Sequence, residues 1–248
     1  MVRPHDPAAY GEAWSRAYDR LYENRDDPAT VVAALERLGP GRDVLDFGLG
    51  TGRLAIPLAA AGFHVAGIEA SPAMVEAFRA KPGAEGIEVV LGDFVATRLD
   101  RRFDFVLIAF STLFLLADQA AQLACLAAAA AHLRPGGAVL VEAFVPDHSR
   151  WDHGRRLALS RLDQAGVEIE AARHDRAKQR IEVRYLLIGP EGIAERPLEL
   201  RYAWPSEIDL MALAAGLQLA DRWADWASTP YGPTSDGHVS IYRSAEAG

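Results

Sequence analysis

A glycine-rich turn between a predicted strand and a predicted helix constrains this chain more than any other segment. The sequence Val44–Arg53 runs V-L-D-F-G-L-G-T-G-R. Glycine is needed where the backbone turns tightly and where a ligand lies against it. The spacing G-x-G-x-G lacks the helix glycine of a dinucleotide fingerprint, and there is no G-K-[ST] of a P-loop. The turn therefore predicts a ligand site of another kind at the start of an α/β unit.

Strands and helices alternate after this point. The predicted strands are Asp43–Phe47, His64–Glu69, Ile87–Leu91, Phe103–Phe110 and Ala138–Val145. The predicted helices are Thr51–Ala61, a segment from Pro72 to about Ala80, and Asp118–Leu133. We expect R-P-G-G at 134–137 to separate the last helix from the last strand. Alternation at this spacing favours a parallel sheet with right-handed crossovers.

The two flanks of this core have a different character. Residues 1–40 carry apolar stripes at helical spacing, which predict a helical cap. Between 146 and 204 the alternating segments are Leu157–Leu162, Val167–His174, Gln179–Ile188 and Ala194–Tyr202, with no helix among them. Residues 205–248 predict a final helix, Pro205–Ala215, and a closing strand pair, Leu217–Trp226 and His238–Arg243.

These patterns predict one α/β domain over residues 1–248. Its centre is a doubly wound, mainly parallel, seven-stranded Rossmann-like sheet. The helical cap at 1–40 precedes the core at 41–145, and an antiparallel strand insertion at 146–204 follows strand 5. Trp223 and Trp226 on the closing pair are expected in the core or at an interface, which leaves a homodimer open.

Composition narrows the classes of partner. The net charge of −8 disfavours nucleic acid as a substrate, because affinity for nucleic acid rests mainly on neutralising phosphates. The single cysteine, Cys125, excludes an internal disulfide framework and a cysteine zinc site, and its Ala/Leu-rich surroundings predict a buried structural thiol. No membrane span is expected, and Met1–Pro7 lacks the apolar stretch of a signal peptide, so we expect a cytoplasmic protein.

Glu69 lies at the end of the second predicted strand, where acids serve nucleoside binding in sheets of this kind. It follows Asp46 by 23 residues. An acid there can accept hydrogen bonds from both ribose hydroxyls of a nucleoside lying across the strand ends. The sequence therefore predicts a nucleoside site at the edge where the glycine turn lies.

Four motifs together resemble those of the class I methyltransferases that depend on S-adenosylmethionine (SAM). They are D-F-G-L-G-T-G at 46–52, G-I-E-A-S-P-A-M at 67–74, L-G-D-F at 91–94 and L-R-P-G-G at 133–137. The resemblance covers 31–145 and implies SAM as the cofactor. The positions implied to bind it are Asp46, Gly48, Leu49, Gly50, Gly52, Glu69, Ala70, Met74, Gly92, Asp93, Phe94, Ala109 and Phe110.

The resemblance also implies a role for most of these positions. The glycine turn would run under the methionine portion, with Asp46 orienting the turn or meeting the ammonium group. Glu69 would hold the ribose. Asp93 would accept the adenine amino group, with the amide of Phe94 facing the ring. Ala70 and Met74 would pack on adenine, although Met74 fits the helix core equally well. Ala109 and Phe110 would lie beside the sulfonium.

The acceptor is predicted to be a small molecule methylated on N or O. Enzymes of adenine N-methylation carry [DN]-P-P-[YFW] after strand 4, where this chain has A-F-S-T at 109–112. Cytosine C5 enzymes need a cysteine there, and Cys125 lies in a helix. Catechol-type enzymes need metal-binding acids at two strand ends, and Asp147 alone is a poor magnesium site, so no metal is expected.

Candidate acceptor-side residues come from three parts of the chain. His148 and His153 follow strand 5 and are the candidate bases, each with the alternative of a solvated loop histidine. The candidate substrate contacts are Tyr10, Trp14, Tyr18, Tyr22, Ser111, Trp151, Arg201 and Tyr202. The tyrosines of the N-terminal helix also fit an ordinary packing stripe.

Two other functions remain open from sequence alone. A SAM-binding fold can support a non-methylating reaction such as a cyclisation, with the same cofactor motifs. A non-catalytic SAM-binding module is the second alternative, against which the intact set of Gly48, Gly50, Gly52, Glu69 and Asp93 argues.

Overall fold

A computed structural model describes residues 6–22, 27–164 and 166–244. The first five residues, on which part of the expectation about a signal peptide rests, lie outside this set. The helices are α1 (Ala9–Tyr22), α2 (Asp27–Leu38), α3 (Ala55–Ala60), α4 (Pro72–Arg79), α5 (Gln119–Ala131) and α6 (Pro205–Ala214). No helix of the described residues has the length and apolar character to cross a membrane.

Seven strands form the main sheet. They are β1 (Asp43–Phe47), β2 (His64–Glu69), β3 (Glu88–Leu91), β4 (Phe103–Ile108), β5 (Leu133–Phe144), β10 (Leu217–Trp223) and β11 (Gly237–Ser244). Their order across the sheet is β10-β11-β5-β4-β1-β2-β3. Neighbours from β5 to β3 are parallel, and β11 is antiparallel to both β5 and β10. This confirms the predicted fold class. From the middle of the sheet, β1, β2 and β3 follow one another towards one edge, and β4 and β5 follow one another towards the other edge, so the direction of strand addition reverses between β1 and β4.

The side chains at the centre of the main sheet are buried on both of its faces. Val44, Leu45 and Phe47 of β1 and Val106 and Leu107 of β4 are completely buried. Runs of this kind are typical of parallel strands covered by helices on both sides. Cys125 is likewise buried in α5, and burial raises the pKa of its thiol. Trp223 and Trp226 belong to the core and are not exposed at an interface.

Residues 146–203 form a second compact unit. Its strands are β6 (Arg155–Asp163), β7 (Gly166–Asp175), β8 (Arg180–Gly189) and β9 (Gly192–Arg201), in an antiparallel sheet of that order. Short turns join β7 to β8 and β8 to β9, as the alternating pattern predicted. A bulge between Leu159 and Arg161 shifts the register of β6 by one residue.

Three predicted boundaries were wrong for identifiable reasons. The residues R-P-G-G at 134–137 lie within β5 and do not precede it, since Leu133 already pairs with Phe103. Helix α3 begins at Ala55 because the glycine turn occupies the residues before it. Strand β4 ends at Ile108, because Phe110 and Ser111 take left-handed backbone angles that a strand does not contain.

Candidate cofactor site

The glycine turn follows β1 at the carboxyl edge of the sheet. Gly48, Gly50 and Gly52 have φ angles of 76°, 61° and 79°, in the left-handed region that favours glycine. A Cβ on Gly52 would lie 2.5 Å from the Phe78 ring, whereas a Cβ on Gly50 would meet nothing closer than 3.8 Å. The turn is thus packed tightly against α4 at Gly52 and has open space at Gly50.

Neighbouring strand β2 makes room for this turn and holds it. The amide of Gly48 donates to the Ile68 carbonyl at 2.9 Å. A Cβ on Gly67 would lie 2.3 Å from Leu49 Cδ1, so the buried Leu49 side chain requires glycine at position 67. The sequence G-I-E at 67–69 therefore serves the packing of the turn as well as the acid that follows.

Glu69, the last residue of β2, links the glycine turn to the start of α4. Its Oε2 accepts from the Gly50 amide at 2.9 Å, and its Oε1 accepts from the Ser71 amide at 2.8 Å. Burial raises the pKa of Glu69, and hydrogen bonds from the amides of Ser71, Gly50 and Ala70 oppose that rise. An ionised carboxylate has about four acceptor positions, so capacity remains for a hydroxyl donor.

Asp46, Arg53 and Tyr18 form an electrostatic cluster around the turn. Burial raises the pKa of Asp46 to about 7, with the Arg53 charge opposing the rise and the Glu69 charge adding to it. Arg53 donates a hydrogen bond to the Tyr18 hydroxyl, while burial raises the pKa of Tyr18. The Arg53 guanidinium carbon also lies 5.1 Å from the centre of the Phe110 ring.

A strained corner ends β4 beside this cluster. Phe110 and Ser111 both have positive φ angles, 51° and 60°, which side-chain-bearing residues adopt at a cost. Glu142 of β5 holds the corner: its Oε2 accepts from the Phe110 amide at 2.7 Å and its backbone oxygen accepts from the Ser111 amide at 2.9 Å. Ala109 before the corner is buried.

The turn after β3 contains the predicted adenine-binding residues. The Gly92 amide donates to the Glu69 carbonyl at 2.9 Å. A Cβ on Gly92 would lie 2.5 Å from Thr97 Oγ1. Asp93 Oδ1 accepts from the Val95 amide at 2.8 Å, which fixes the loop. The Phe94 ring stacks on Phe47 with centres 5.3 Å apart.

Helix α1 is fastened to this site near both ends. Glu12 Oε1 accepts from Ser71 Oγ at 2.7 Å and from the Ala73 amide at 3.2 Å. Near the other end, Asp19 Oδ1 accepts from Thr51 Oγ1 and from Lys81 Nζ, each at 2.6 Å. The helix therefore links the start of α4 to the glycine turn.

The aromatic residues predicted on α1 divide into two groups. Tyr22 packs edge-on against Phe110, with ring centres 4.9 Å apart, and also contacts Tyr18. Tyr10 and Trp14 stack on each other at 5.4 Å, and Trp14 is buried. The structure thus brings Tyr18 into contact with Arg53 and Tyr22 into contact with Phe110.

Met74 and Ala70 lie where α4 begins. Met74 is buried, and its amide donates to Ser71 Oγ at 3.2 Å, which caps the helix. Pro72 after this cap has the backbone angle of a first helical residue. Ala70 is half-buried between Glu69 and Ser71.

In the second unit, two histidines share one tyrosine. The Tyr202 hydroxyl lies 3.1 Å from His148 Nε2 and 2.9 Å from His174 Nε2. The Trp151 ring packs on His174 with centres 4.8 Å apart. Burial lowers the pKa of His174, and the neighbouring His148 lowers it further. Arg201 is held by Gln179, whose Oε1 accepts from it at 3.1 Å.

His153 is not part of that cluster. Its side chain is 97% exposed on the turn before β6, and the nearest carboxylate is Asp152 at 3.7 Å. The two candidate bases thus have different environments: His148 is hydrogen-bonded inside a cluster of rings, and His153 is a solvated turn residue.

Sequence reasoning did not single out Arg53, Glu142, Glu12 or His174 as site residues. Glu142 had a detectable signal, because it is the one charged residue in the apolar stretch 138–145. Arg53 directly follows the glycine motif, but no motif in the sequence indicates a role for it. The partners of Glu12 and His174 come from distant segments, so no local spacing indicates them.

These residues fit SAM by their chemistry. The site suits a nucleoside that also bears charged groups. It combines a glycine turn that is open at Gly50, a buried acid with acceptor capacity at the end of β2, and a second acid in the turn after β3. The cationic sulfonium and ammonium groups suit the buried Asp46.

Comparisons with known proteins identify the family. The profile of the methyltransferase domain matches residues 44–137. The chain is 32% identical to a cypemycin N-terminal methyltransferase from a Streptomyces species, over 91% of this chain and 94% of that protein. It is 31% identical to the dTDP-3-amino-3,6-dideoxy-alpha-D-glucopyranose N,N-dimethyltransferase of Streptomyces fradiae, over 74% of each.

A solved structure agrees with these relatives. The CcbJ methyltransferase from Streptomyces caelestis superposes with a TM-score of 0.86 and 35% identity, covering 97% of this chain and 99% of that one. The chain belongs to the class I SAM-dependent methyltransferases. It is an enzyme of that family, and its cofactor is SAM.

Proposed function

We propose that this enzyme transfers the methyl group of SAM to an amine nitrogen of a small molecule. The observation that carries the proposal is the match over most of the chain to proteins named for N-methylation of a peptide N-terminus and of an amino sugar. The net charge of −8 supports an acceptor other than nucleic acid.

We assign SAM binding to the core 41–145 and acceptor binding to the cap 1–40 and the insertion 146–204. In this assignment Glu69 accepts from the ribose, Asp93 accepts from the adenine amino group, and Ala70 and Met74 contact the adenine. Gly48, Leu49 and Gly50 support the methionine portion. Asp46 faces its ammonium group, a role that the buried position of this acid supports.

Bound SAM would supply a methyl group whose carbon is already activated by the attached sulfonium. The chain's own contribution is to position the acceptor in line with that carbon and to exclude water. Phe110 and Ser111 occupy a corner that Glu142 holds in a costly conformation, which supports a role in positioning. Tyr18 and Tyr22 pack at the same corner through Arg53 and Phe110.

An amine that arrives as its ammonium form must give up a proton before it attacks, because only the neutral nitrogen has a free electron pair; that electron pair forms the new N–C bond as the S–C bond of SAM breaks. We assign the proton-accepting role to His148, with Tyr202 and His174 orienting its ring. General bases contribute about 10²–10⁴ in rate. His148→Ala is expected to lower kcat within that range, while His153→Ala, its solvated counterpart, leaves kcat unchanged.

The acceptor class is tested with matched pairs of compounds. Purified enzyme and SAM are incubated with amino sugars and peptides bearing a free N-terminus, each beside its hydroxyl analogue, and S-adenosylhomocysteine is quantified. We expect release of that product only with the amines, with a gain of one methyl group by mass spectrometry. Transfer to the hydroxyl analogues instead would contradict the nitrogen assignment.

A further inference from the structure

A triad of hydrogen-bonded side chains, His174, Tyr202 and His148, runs from a buried end to an exposed end within the second unit. The Tyr202 hydroxyl lies between Nε2 of His174 and Nε2 of His148, at 2.9 Å and 3.1 Å. His174 is 7% exposed and Tyr202 is 1% exposed, whereas His148 is an exposed residue. The triad therefore joins a buried imidazole to one that water reaches.

Backbone contacts fix the two buried members of the triad. His174 lies in β7, and its amide donates to the Gly154 carbonyl at 2.8 Å. Tyr202 directly follows β9, and its amide donates to the Gln179 carbonyl at 2.9 Å. The small sheet thus holds the Tyr202 hydroxyl and the His174 ring at hydrogen-bonding distance.

The single hydrogen of the Tyr202 hydroxyl cannot serve both imidazoles. A neutral imidazole has one N–H donor and one bare acceptor nitrogen. Since the hydroxyl can donate to only one Nε2, the other Nε2 must carry a hydrogen and donate to the hydroxyl oxygen. With both bonds made and the hydroxyl hydrogen in one of them, the two neutral histidines have opposite tautomers.

The second ring nitrogen of His174 decides which tautomer each histidine has. Nδ1 of His174 is buried and has no hydrogen-bond partner among the residues that the structure describes. A buried N–H without a partner is rarer than a buried acceptor without one. The bare nitrogen of His174 is therefore Nδ1, and its Nε2–H donates to Tyr202. Tyr202 then donates to Nε2 of His148, whose own hydrogen is on Nδ1.

His174 is a poor place to keep a proton. Burial lowers its pKa, and the nearby His148 and Arg176 lower it further, with the charge of Asp175 opposing them. A charged ring is stabilised by water at the surface and penalised in the interior. A proton placed on Nδ1 of His174 therefore gains stability by moving along the triad to the exposed His148.

Trp151 gives the buried end of the triad a surface that suits an ammonium group. Its ring is half-buried and packs on His174, with ring centres 4.8 Å apart. A cationic amine is attracted to the face of an aromatic ring, and tryptophan is the strongest of these rings. The bare nitrogen of His174 thus lies beside a side chain that can attract a protonated amine.

We propose that the triad is a proton wire, which takes the proton of an ammonium acceptor at Nδ1 of His174 and delivers one at His148. The inference rests on the proposed function, in which His148 has the proton-accepting role, and it adds the route by which the proton arrives. Tyr202 is the positioning residue through which the two histidines act together.

The transfer consists of three hydrogen shifts. Nδ1 of His174 takes a proton from the ammonium group, the hydrogen on its Nε2 passes to the Tyr202 oxygen, and the hydroxyl hydrogen passes to Nε2 of His148. His148 then loses its Nδ1 hydrogen to water. The amine keeps its electron pair for the methyl carbon. After product release the reverse shifts restore the first tautomers, with a proton taken from water at His148 and one released to water at His174.

The tautomers are measured by ¹⁵N chemical shifts of the histidine rings in the full-length enzyme, at a pH where both rings are neutral. The chain has seven histidines, so the signals are assigned from the His148→Asn and His174→Asn variants. We expect the hydrogen on Nε2 of His174 and on Nδ1 of His148. The opposite arrangement overturns the proposal. This measurement needs no acceptor, so the wire can fail while the proposed function stands, and the reverse.

Tyr202→Phe breaks the wire while keeping the ring that packs between the two histidines. With the amino sugar or peptide that releases most S-adenosylhomocysteine, we expect kcat to fall by about 10²-fold or more, with little change in KM for the amine. Adding His174→Ala should lower kcat no further, because the triad acts as a unit. Tyr231→Phe, at a half-buried tyrosine outside this unit, is the control. Wild-type kcat in Tyr202→Phe overturns the proposal.

Added imidazole distinguishes the two ends of the wire. His148→Ala leaves a gap at the exposed end, where soluble imidazole can take the proton from Tyr202, so we expect its kcat to recover at least about tenfold, a part of the general-base contribution. Tyr202→Phe interrupts the buried middle and should not respond. Recovery of Tyr202→Phe to the same extent as His148→Ala, or of neither variant, overturns the proposed route.

Discussion

Glu69 is the side chain on which most of the proposed cofactor contacts depend. It holds the amides of Gly50 and Ser71, and in our assignment it also receives the ribose. Glu69→Ala should weaken SAM binding by about 1–3 kcal/mol, the scale of a lost hydrogen bond to a buried charged group. Titration calorimetry measures this. Glu76→Ala on the exposed side of α4 is the control, and an unchanged affinity of Glu69→Ala would refute the ribose role.

Asp46 gives the unliganded enzyme a particular pH dependence. Its pKa is about 7 in the folded protein against an ordinary value of 3.8. Between these values the folded state keeps a proton that the unfolded state has released, so the free energy of unfolding falls as pH rises through this window. The loss approaches about 1.4 kcal/mol per pH unit.

Asp46→Asn removes this titration. We expect its free energy of unfolding to decline less steeply with rising pH than that of the wild type. Urea denaturation at a series of pH values between the two pKa values of Asp46 measures this decline. Asp100→Asn, at an exposed position, should behave like the wild type. Parallel curves for Asp46→Asn and the wild type would show that Asp46 ionises normally.

The local chemistry of the site was largely predictable because its motifs are continuous in sequence. The positive φ angles of Gly48, Gly50 and Gly52 follow from their spacing, and Glu69 follows from the end of a strand. The Arg53–Tyr18 bond and the Glu142–Phe110 bond join segments more than thirty residues apart. Such contacts arise from tertiary packing, which no local pattern encodes.

Helix α1 depends on close approach to the start of α4. A Cβ on Gly11 would lie 2.3 Å from Ser71 Cβ. Gly11→Ala gains about 1 kcal/mol in helix propensity, but overpacking costs about 1–3 kcal/mol, so α1 should separate from α4. Hydrogen exchange over Ala9–Tyr22 should accelerate and SAM affinity should fall.

Arg16→Ala is the control for that variant, because Arg16 is exposed on the same helix and its replacement causes no clash. It should leave the exchange of α1 as slow as in the wild type or slower. Unchanged exchange in Gly11→Ala would mean that the contact with Ser71 does not hold the helix.

Element boundaries show the limits of local signals. Arg134–Gly137 has the composition of a turn, yet it lies in β5 because Leu133 and Ala138 both pair with β4. Phe103–Phe110 has the composition of one strand, yet the final two residues turn away because Glu142 accepts from the Phe110 amide. In both cases a neighbouring strand decides where the element ends.

At the scale of the whole molecule, the mainly parallel sheet and the antiparallel insertion after strand 5 were both predictable. Alternating βα segments imply a parallel sheet, and four strands without helices imply hairpins. The exposure of Leu157, Leu159 and Leu162 on one face of the small sheet was not predicted, since these residues appear in sequence as ordinary strand residues. Only the register, with its bulge, shows that they lie together.

Binding of the cofactor tests the central claim most directly. SAM and S-adenosylhomocysteine are titrated separately into the purified, folded enzyme in a calorimeter. The site described by Asp46, the glycine turn, Glu69 and Asp93 predicts saturable binding of both, one per chain, with dissociation constants in the micromolar range. Absence of heat from both ligands, in protein with cooperative unfolding, would contradict the assignment of this edge of the sheet to SAM.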